Sequence, residues 1–168
     1  MICYVGIDNG VSGSIGVLDE RGDVIHYSPT PCFMELNYTK EKRNVTRVNA
    51  RKLYSMLKVL QEEDTLACFR VFIERPMVNP QRFQASLSAI RALETTLIVL
   101  ERLKWGVQYV DSREWQSLLL PKGSKGEALK TDSVSIGCRR FPRYAEQIKK
   151  HKDADGLLIA EAMRGLRK

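Results

Sequence analysis

Short apolar runs broken by glycine and proline dominate the N-terminal part of the chain. Ile2 to Asp8 is β-rich and mostly apolar, and the glycines at 10, 13 and 16 allow a tight turn into a second run, Ser14 to Leu18. Arg21-Gly22-Asp23 turns again into Val24 to Tyr27, so a three-stranded meander is predicted, ended by Pro29 and Pro31. The polar, basic stretch up to Asn44 has no clear period and reads as a loop long enough to be functional. Helical spacing begins with Ala50, Leu53, Met56, Leu57 and Leu60, which predicts an amphipathic helix from near Asn49 to near Glu63. A strand from Ala67 to Ile73 follows, and the prolines at 76 and 80 force a turn just after Glu74. From Phe83 to Leu103 a long helix carries Leu87, Ile90, Leu93, Leu97, Ile98 and Leu100, enough for more than one buried face. Gly106 permits a turn into a strand over Val107 to Val110, and Asp111 or Ser112 can cap a short helix containing Trp115 and Leu118. Helices over Ala128 to Arg140 and from about Asp153 to Arg167 complete the chain. This order predicts an α/β fold, a mixed five-stranded sheet flanked by helices.

At 168 residues the chain fits one domain, residues 1–168, that can bury a sizeable core without a disulfide or metal staple. Its formal net charge of +7 favours a polyanionic partner such as nucleic acid. The positive residues form two groups, one around Lys40, Lys42, Arg43, Arg47, Arg51 and Lys52, the other from Arg139 to Lys152. Either group also reads as an ordinary solvated face. Cys3, Cys32, Cys68 and Cys138 are too widely spaced for a zinc ribbon or a disulfide framework, and Cys3 and Cys68 read as small buried hydrophobes. The apolar stretches look too short and interrupted to span a bilayer, and no signal-peptide pattern opens the chain. The expectation is a soluble intracellular protein with no membrane partner, cytoplasmic, or in the host cytoplasm if phage-encoded.

Candidate chemistry lies in three acidic segments, each at the predicted end of a strand or start of a helix. They are Asp8 in Val5-Gly6-Ile7-Asp8-Asn9-Gly10, Glu74 in Ile73-Glu74-Arg75-Pro76, and Asp153 with Asp155 in His151-Lys152-Asp153-Ala154-Asp155-Gly156. A carboxylate ending an apolar strand has its backbone buried and its head group at the sheet edge, so neighbouring strands carry two such groups to one place. Their repulsion is relieved by a divalent cation with oxygen ligands, and two ions roughly 3.5–4 Å apart serve phosphodiester hydrolysis. The bland alternatives are a turn-capping role for Asp8 and an ion pair of Glu74 with Arg75 or another cation.

The segments Gly6-Ile7-Asp8-Asn9-Gly10 through Gly13-Ser14, Ile73-Glu74, and Ala154-Asp155-Gly156-Leu157-Leu158-Ile159-Ala160 resemble the RuvC-like Holliday junction resolvases of the ribonuclease H superfamily, most closely the phage and plastid-type members. The resemblance covers nearly the whole chain in element order, with specificity confined to the acidic segments. It implies a catalytic, metal-binding set of Asp8, Glu74 and Asp155. It also implies two Mg²⁺ ions per site, with Mn²⁺ as a substitute, and cleavage of branched DNA without a covalent intermediate. Relatives place a fourth ligand, Asp or His, three or more residues before the helix Asp, and here the third position is Lys152. Asp153 and His151 are the substitutes. Asp153 lies ~200° from Asp155 on a regular helix, although a cap residue escapes that geometry. The preference of Mg²⁺ for oxygen favours Asp153 over His151, and a plain N-cap is the rival reading of Asp153.

For DNA contact, Lys122 and Lys125 in the glycine-containing loop are suited to phosphates, with Arg82, Lys40, Lys42 and Arg43 as further candidates. Met77 and Phe83 fall where relatives place residues near the branch point and read as an apolar wedge, or, for Phe83, as a buried anchor of the helix start. Because a four-way junction has two-fold symmetry, the resemblance implies a homodimer joined through helix 83–103. Other readings are a ribonuclease H-like nuclease acting on RNA–DNA hybrids or flaps, and a non-catalytic nucleic-acid-binding module. An actin- or Hsp70-like ATPase shares the first glycine-rich segment but needs two such domains, and this chain has room for one.

Overall fold

The computed structural model describes residues 1–36, 40 and 42–166. A five-stranded sheet forms from β1 (Ile2–Ile7), β2 (Ser14–Leu18), β3 (Val24–Pro29), β6 (Cys68–Glu74) and β7 (Val107–Val110), in the order β3-β2-β1-β6-β7. The first three strands are an antiparallel meander, whereas β6 runs parallel to β1 and β7 parallel to β6. The mixed sheet follows from the connections: tight turns join the meander, and long helical crossovers lead into β6 and β7. Between Leu18 and Val24 the side chain of Asp19 accepts the main-chain N–H groups of Arg21, Gly22 and Asp23 through one oxygen, holding the hairpin turn.

Side chains alternate across the sheet and build two cores. Cys3, Val5 and Ile7 of β1, with Val71 and Ile73 of β6, face α1 (Ala50–Glu63) and α2 (Phe83–Arg102), meeting Leu53, Leu57, Ala92, Val99 and Leu100. Tyr4 and Phe72 point the other way, into a core closed by α3 (Ser112–Leu119), α4 (Glu127–Arg140), α5 (Ala145–His151) and α6 (Asp155–Gly165). The first turn of α6 lies directly on the meander. A Cβ at Gly6 would sit 2.1 Å from the Gly156 carbonyl oxygen, and one at Gly156 would sit 2.6 Å from the Ser14 carbonyl oxygen. Gly156 also donates its N–H to Ser14 Oγ at 3.0 Å, so the buried helix start has a partner.

The structure departs from the sequence reading in five places. Residues expected to form a loop up to Asn44 instead supply β4 (Cys32–Leu36) and β5 (Asn44–Val48), an antiparallel pair separate from the main sheet; residues 37–39 and 41 of that stretch lie outside the described residues. Most of its side chains are solvated on both faces, so the apolar alternation that marks a half-buried strand is absent. The helix α5 went unpredicted because seven residues after a proline are too few to show a period. It stops at Lys152, which takes a left-handed conformation (φ 59°), and α6 begins only at Asp155. The predicted end at Arg167 lies outside the described residues. Cys68 is exposed at the start of β6, not buried. Pro80–Arg102, a 3-10 turn leading into α2, is 23 residues long with a mean hydropathy of 1.2 over its most apolar window, long and apolar enough by those two measures to cross a membrane. One face of α2 nonetheless packs against α1 and the sheet through Ala92, Thr96, Val99 and Leu100, while Phe83, Ile90 and Ile98 face outward.

Candidate metal centre and nucleic-acid face

The parallel pairing of β1 with β6 sets Ile7 opposite Ile73, so Asp8 and Glu74 leave the sheet side by side at its C-terminal edge. The glycine contacts described above bring the start of α6 onto the same edge. Asp8, Asp153 and Asp155 each offer a carboxylate oxygen, and these oxygens lie within 4.8 Å of one another. A cleft of about 530 Å³ opens over them, lined also by Ser12, Lys130, Ser133, His151 and Lys152.

Asp155, Asp153 and Glu74 are each held by a hydrogen bond to one carboxylate oxygen. Asp155 Oδ1 accepts a short hydrogen bond from Ser133 Oγ of α4. Asp153 Oδ1 accepts the main-chain N–H of Asp155 at 2.7 Å, and Glu74 Oε2 accepts Trp115 Nε1–H at 2.6 Å. The Asp153 carbonyl in turn accepts from the Tyr27 hydroxyl of β3. Asp153 Oδ2 is buried with no hydrogen-bond partner among the described residues. An orphaned oxygen on one of three converging carboxylates fits a cation-binding role, because burial of a bare anion is otherwise costly. The donor set is all oxygen and hard, which suits Mg²⁺ or Mn²⁺ over softer metals.

The electrostatics agree. Burial, and then the neighbouring charges of Asp153, Asp155 and Glu74, push the Asp8 carboxyl well above its ordinary range, with Lys130 opposing. Asp155 is pushed up to about 7, first by burial and then by Asp153, against the Ser133 hydrogen bond and the charge of Lys130. Burial also raises Glu74, partly offset by the Trp115 hydrogen bond. Three carboxyls that resist ionisation together are a site lacking positive charge.

The two candidates for the fourth ligand occupy different positions. His151 Nε2 lies 3.1 Å from the Gly13 carbonyl oxygen and 3.7 Å from Asp153 Oδ2. A carbonyl only accepts, so a hydrogen bond there puts the ring proton on Nε2 and makes Nδ1 the accepting nitrogen. Glu74 lies outside the close group of three aspartates. Its expected alternative, pairing with Arg75, does not occur: Arg75 Nε reaches Asp111 Oδ1 at 3.5 Å.

The predicted DNA contacts lie outside the cleft lining. Lys122 and Lys125 are exposed in the turn before α4, Arg82 is exposed before α2, and Lys40, Lys42 and Arg43 are exposed between β4 and β5 or beside them. None of these six lines the cleft. Met77 is 81% exposed and Phe83 64% exposed, so Phe83 does not anchor the helix start in the core. That task falls to Ser86, whose hydroxyl exchanges hydrogen bonds with both the N–H and the carbonyl of Asn79. Lys130, Ser133 and Trp115 were not singled out by the sequence. Lys130 and Ser133 share the cleft-facing side of α4 at i, i+3, a signal visible only once α4 is known to face the acids.

With this geometry the molecule falls in the ribonuclease H-like class of α/β folds, and specifically has a RuvC-like fold. Thermus thermophilus RuvC in complex with a Holliday junction substrate superposes with a TM-score of 0.63, at 13% identity, over 99% of this chain and 96% of that chain. The Thermus thermophilus RuvC structure gives a TM-score of 0.52 at 14% identity, over 98% of this chain and 95% of that chain. No family model and no curated protein sequence matches the chain.

Proposed function

We propose that residues 1–168 act as one metal-dependent endodeoxyribonuclease domain that resolves four-way junctions or other branched DNA. The observation that carries this reading is the convergence of Asp8, Asp153 and Asp155 around the orphaned Asp153 oxygen, on a fold shared with a nuclease solved on a Holliday junction.

Asp8, Asp153 and Asp155, with Glu74 beside them at the sheet edge, are the residues that would hold the divalent ions. Two divalent ions held there would supply an activated water and neutralise the leaving oxygen of the phosphodiester. Ser133, Trp115 and the N–H of Asp155 orient the carboxylates. Lys130, on the cleft wall, places a fixed positive charge beside the phosphate. His151 holds the Gly13 carbonyl and so steadies the loop after Asp8.

Exposed Met77 and Phe83 follow Glu74 along the chain and form an apolar element suited to unstacked bases at a branch point, while Lys122, Lys125, Arg82, Lys40, Lys42 and Arg43 are placed to meet phosphates. The outward apolar positions of α2 support a homodimer, which supplies two matching sites for paired incisions. The protein would act inside the cell, where its DNA substrate is.

The test incubates the purified protein with a labelled four-way junction, a matched duplex and an RNA–DNA hybrid, in Mg²⁺, Mn²⁺ or EDTA, beside Asp8→Asn. Paired symmetric nicks confined to the junction, dependent on metal and on Asp8, are the expected result. Cutting of the hybrid would instead identify another ribonuclease H-like nuclease, and binding without cutting a nucleic-acid-binding module.

A further inference from the structure

We propose that Trp115 is a positioning residue that orients the Glu74 carboxylate and thereby sets the affinity of the ion position Glu74 serves. This rests on the metal-nuclease reading above.

Trp115 is fully buried, on the first turn of α3, the helix that directly follows β7. The register of β7 against β6 sets Val110 beside Glu74, and the Arg75 N–H donates to the Val110 carbonyl at 3.0 Å, so the start of α3 is locked to the end of β6. From there Trp115 Nε1 reaches Glu74 Oε2 at 2.6 Å. An indole nitrogen can only donate, so the bond holds the carboxylate by Oε2 and fixes the direction in which Oε1 and the second lone pair of Oε2 are offered to an ion. The other buried tryptophan makes the contrast. Trp105 stacks on Phe69 with ring centroids 4.0 Å apart, and its buried Nε1 has no hydrogen-bond partner among the described residues. Packing alone is thus enough to hold an indole in this protein, and the Trp115 bond is a separate feature.

The same arrangement recurs around the site. Asp155 gives one oxygen to Ser133, Asp153 one to a main-chain N–H, and Glu74 one to Trp115. Glu74 differs in standing apart from the three aspartates, so its ion position has fewer protein oxygens and depends more on the orientation of that single carboxylate. Outer hydrogen-bond partners of metal ligands typically change affinity by about 10–100-fold.

The experiment measures Mn²⁺ binding by calorimetry to the wild type, Trp115→Phe, Glu74→Ala and the double variant. Trp115→Phe is expected to weaken the lower-affinity Mn²⁺ step at least about tenfold, and to change nothing further on the Glu74→Ala background. Unchanged affinity in Trp115→Phe, or an equal loss on both backgrounds, would overturn the proposal, since the second result marks a purely structural role. Should Trp115→Phe fail to fold, Trp105→Phe leaves Trp115 as the sole tryptophan. Its emission should then be quenched by Mn²⁺ in step with the weaker binding event and lose that response in Trp105→Phe/Glu74→Ala. Emission indifferent to Mn²⁺ would overturn the proposal. A wild type that binds no Mn²⁺ would instead overturn the metal-nuclease reading beneath it.

Discussion

Asp153 caps the main-chain N–H of Asp155 with one carboxylate oxygen, at 2.7 Å, and buries the other without a partner between His151 and the remaining acids. The N-cap position of α6 itself is Ala154, so Asp153 ties down the helix start from one residue before it and offers its other oxygen as the candidate ligand. The left-handed turn at Lys152 makes this geometry, because it ends α5 and frees Asp153 from the helical angle that would have pointed it away from Asp155.

Replacing Asp153 separates the two roles. In Asp153→Asn the amide oxygen can keep the cap while the inward oxygen is lost as an anion. The expected variant folds, melts within a few degrees of the wild type in EDTA, and nicks a four-way junction at least about 100-fold more slowly, as loss of a metal-orienting group does. Asp153→Ala loses the cap as well and should cost on the order of 1 kcal/mol of stability besides. Junction nicking by Asp153→Asn at the wild-type rate would remove this residue from the site.

The acid cluster should make the metal-free protein less stable as pH rises. Asp155, pushed up to about 7, holds a proton in the folded state across a range where the unfolded chain, with an ordinary Asp, has released it. The folded state binds more protons there, so stability falls from about pH 4 up to about pH 7 and levels off above. Asp8, raised in the same direction, adds to the trend. Urea titrations in EDTA at pH 5 and pH 8 test this. The midpoint should be higher at pH 5, and Mg²⁺ should recover more stability at pH 8, where the carboxylates are ionised for it. An EDTA midpoint higher at pH 8 would contradict the assignment of unrelieved carboxylates.

Two glycines have separable duties at this edge. A Cβ at Gly13 would lie 2.2 Å from the Asp8 carbonyl oxygen and 2.8 Å from its Oδ2. Gly13→Ala should therefore displace Asp8 and suppress Mn²⁺ binding and nicking while much of the core stays intact. Gly6→Ala would press into the Gly156 carbonyl under the sheet and should cost about 1–3 kcal/mol or more, since overpacking a closed layer forces backbone to move. Denaturant midpoints set beside Mn²⁺ titrations distinguish the two effects; equal stability losses with unchanged metal binding would show that Gly13 serves only the turn.

Much of this architecture could be read from residues alone, for a definite reason. Strands β1 and β2 and the end of β6 are buried enough to write themselves as apolar runs, and α1 and α2 repeat their apolar positions at helical spacing. The acids stand at the ends of those runs, so Asp8, Glu74 and Asp155 were recognisable by position. The hairpin of β4 and β5 was not, because a solvated strand such as Asn44–Val48 carries little alternation. Gly16 was assigned to a turn, yet it lies inside β2, where a Cβ would meet Leu157 at 2.6 Å. That contact joins residues far apart in sequence and leaves no local trace. The hydrogen bond from Trp115 to Glu74 was hidden for the same reason: an apolar helix position and a strand-end acid become partners only through the pairing of β6 with β7.

The outward face of α2 gives the last prediction. Ile98 is 62% exposed and Ile90 39% exposed on a helix whose opposite face is buried against α1 and the sheet. A second copy of the chain would cover these side chains through a two-fold contact, and would place two cleavage sites on one junction. Ile98→Glu sets a charge at that contact without touching the core beneath, so the fold should persist while the dimer weakens. Light scattering at micromolar concentration should find a dimer for the wild type and a monomer for the variant. On a cruciform plasmid the variant should accumulate singly nicked circles, because two incisions within one binding event need both sites together. A wild type that is monomeric, with coordinated incisions nonetheless, would exclude α2 as the means of pairing.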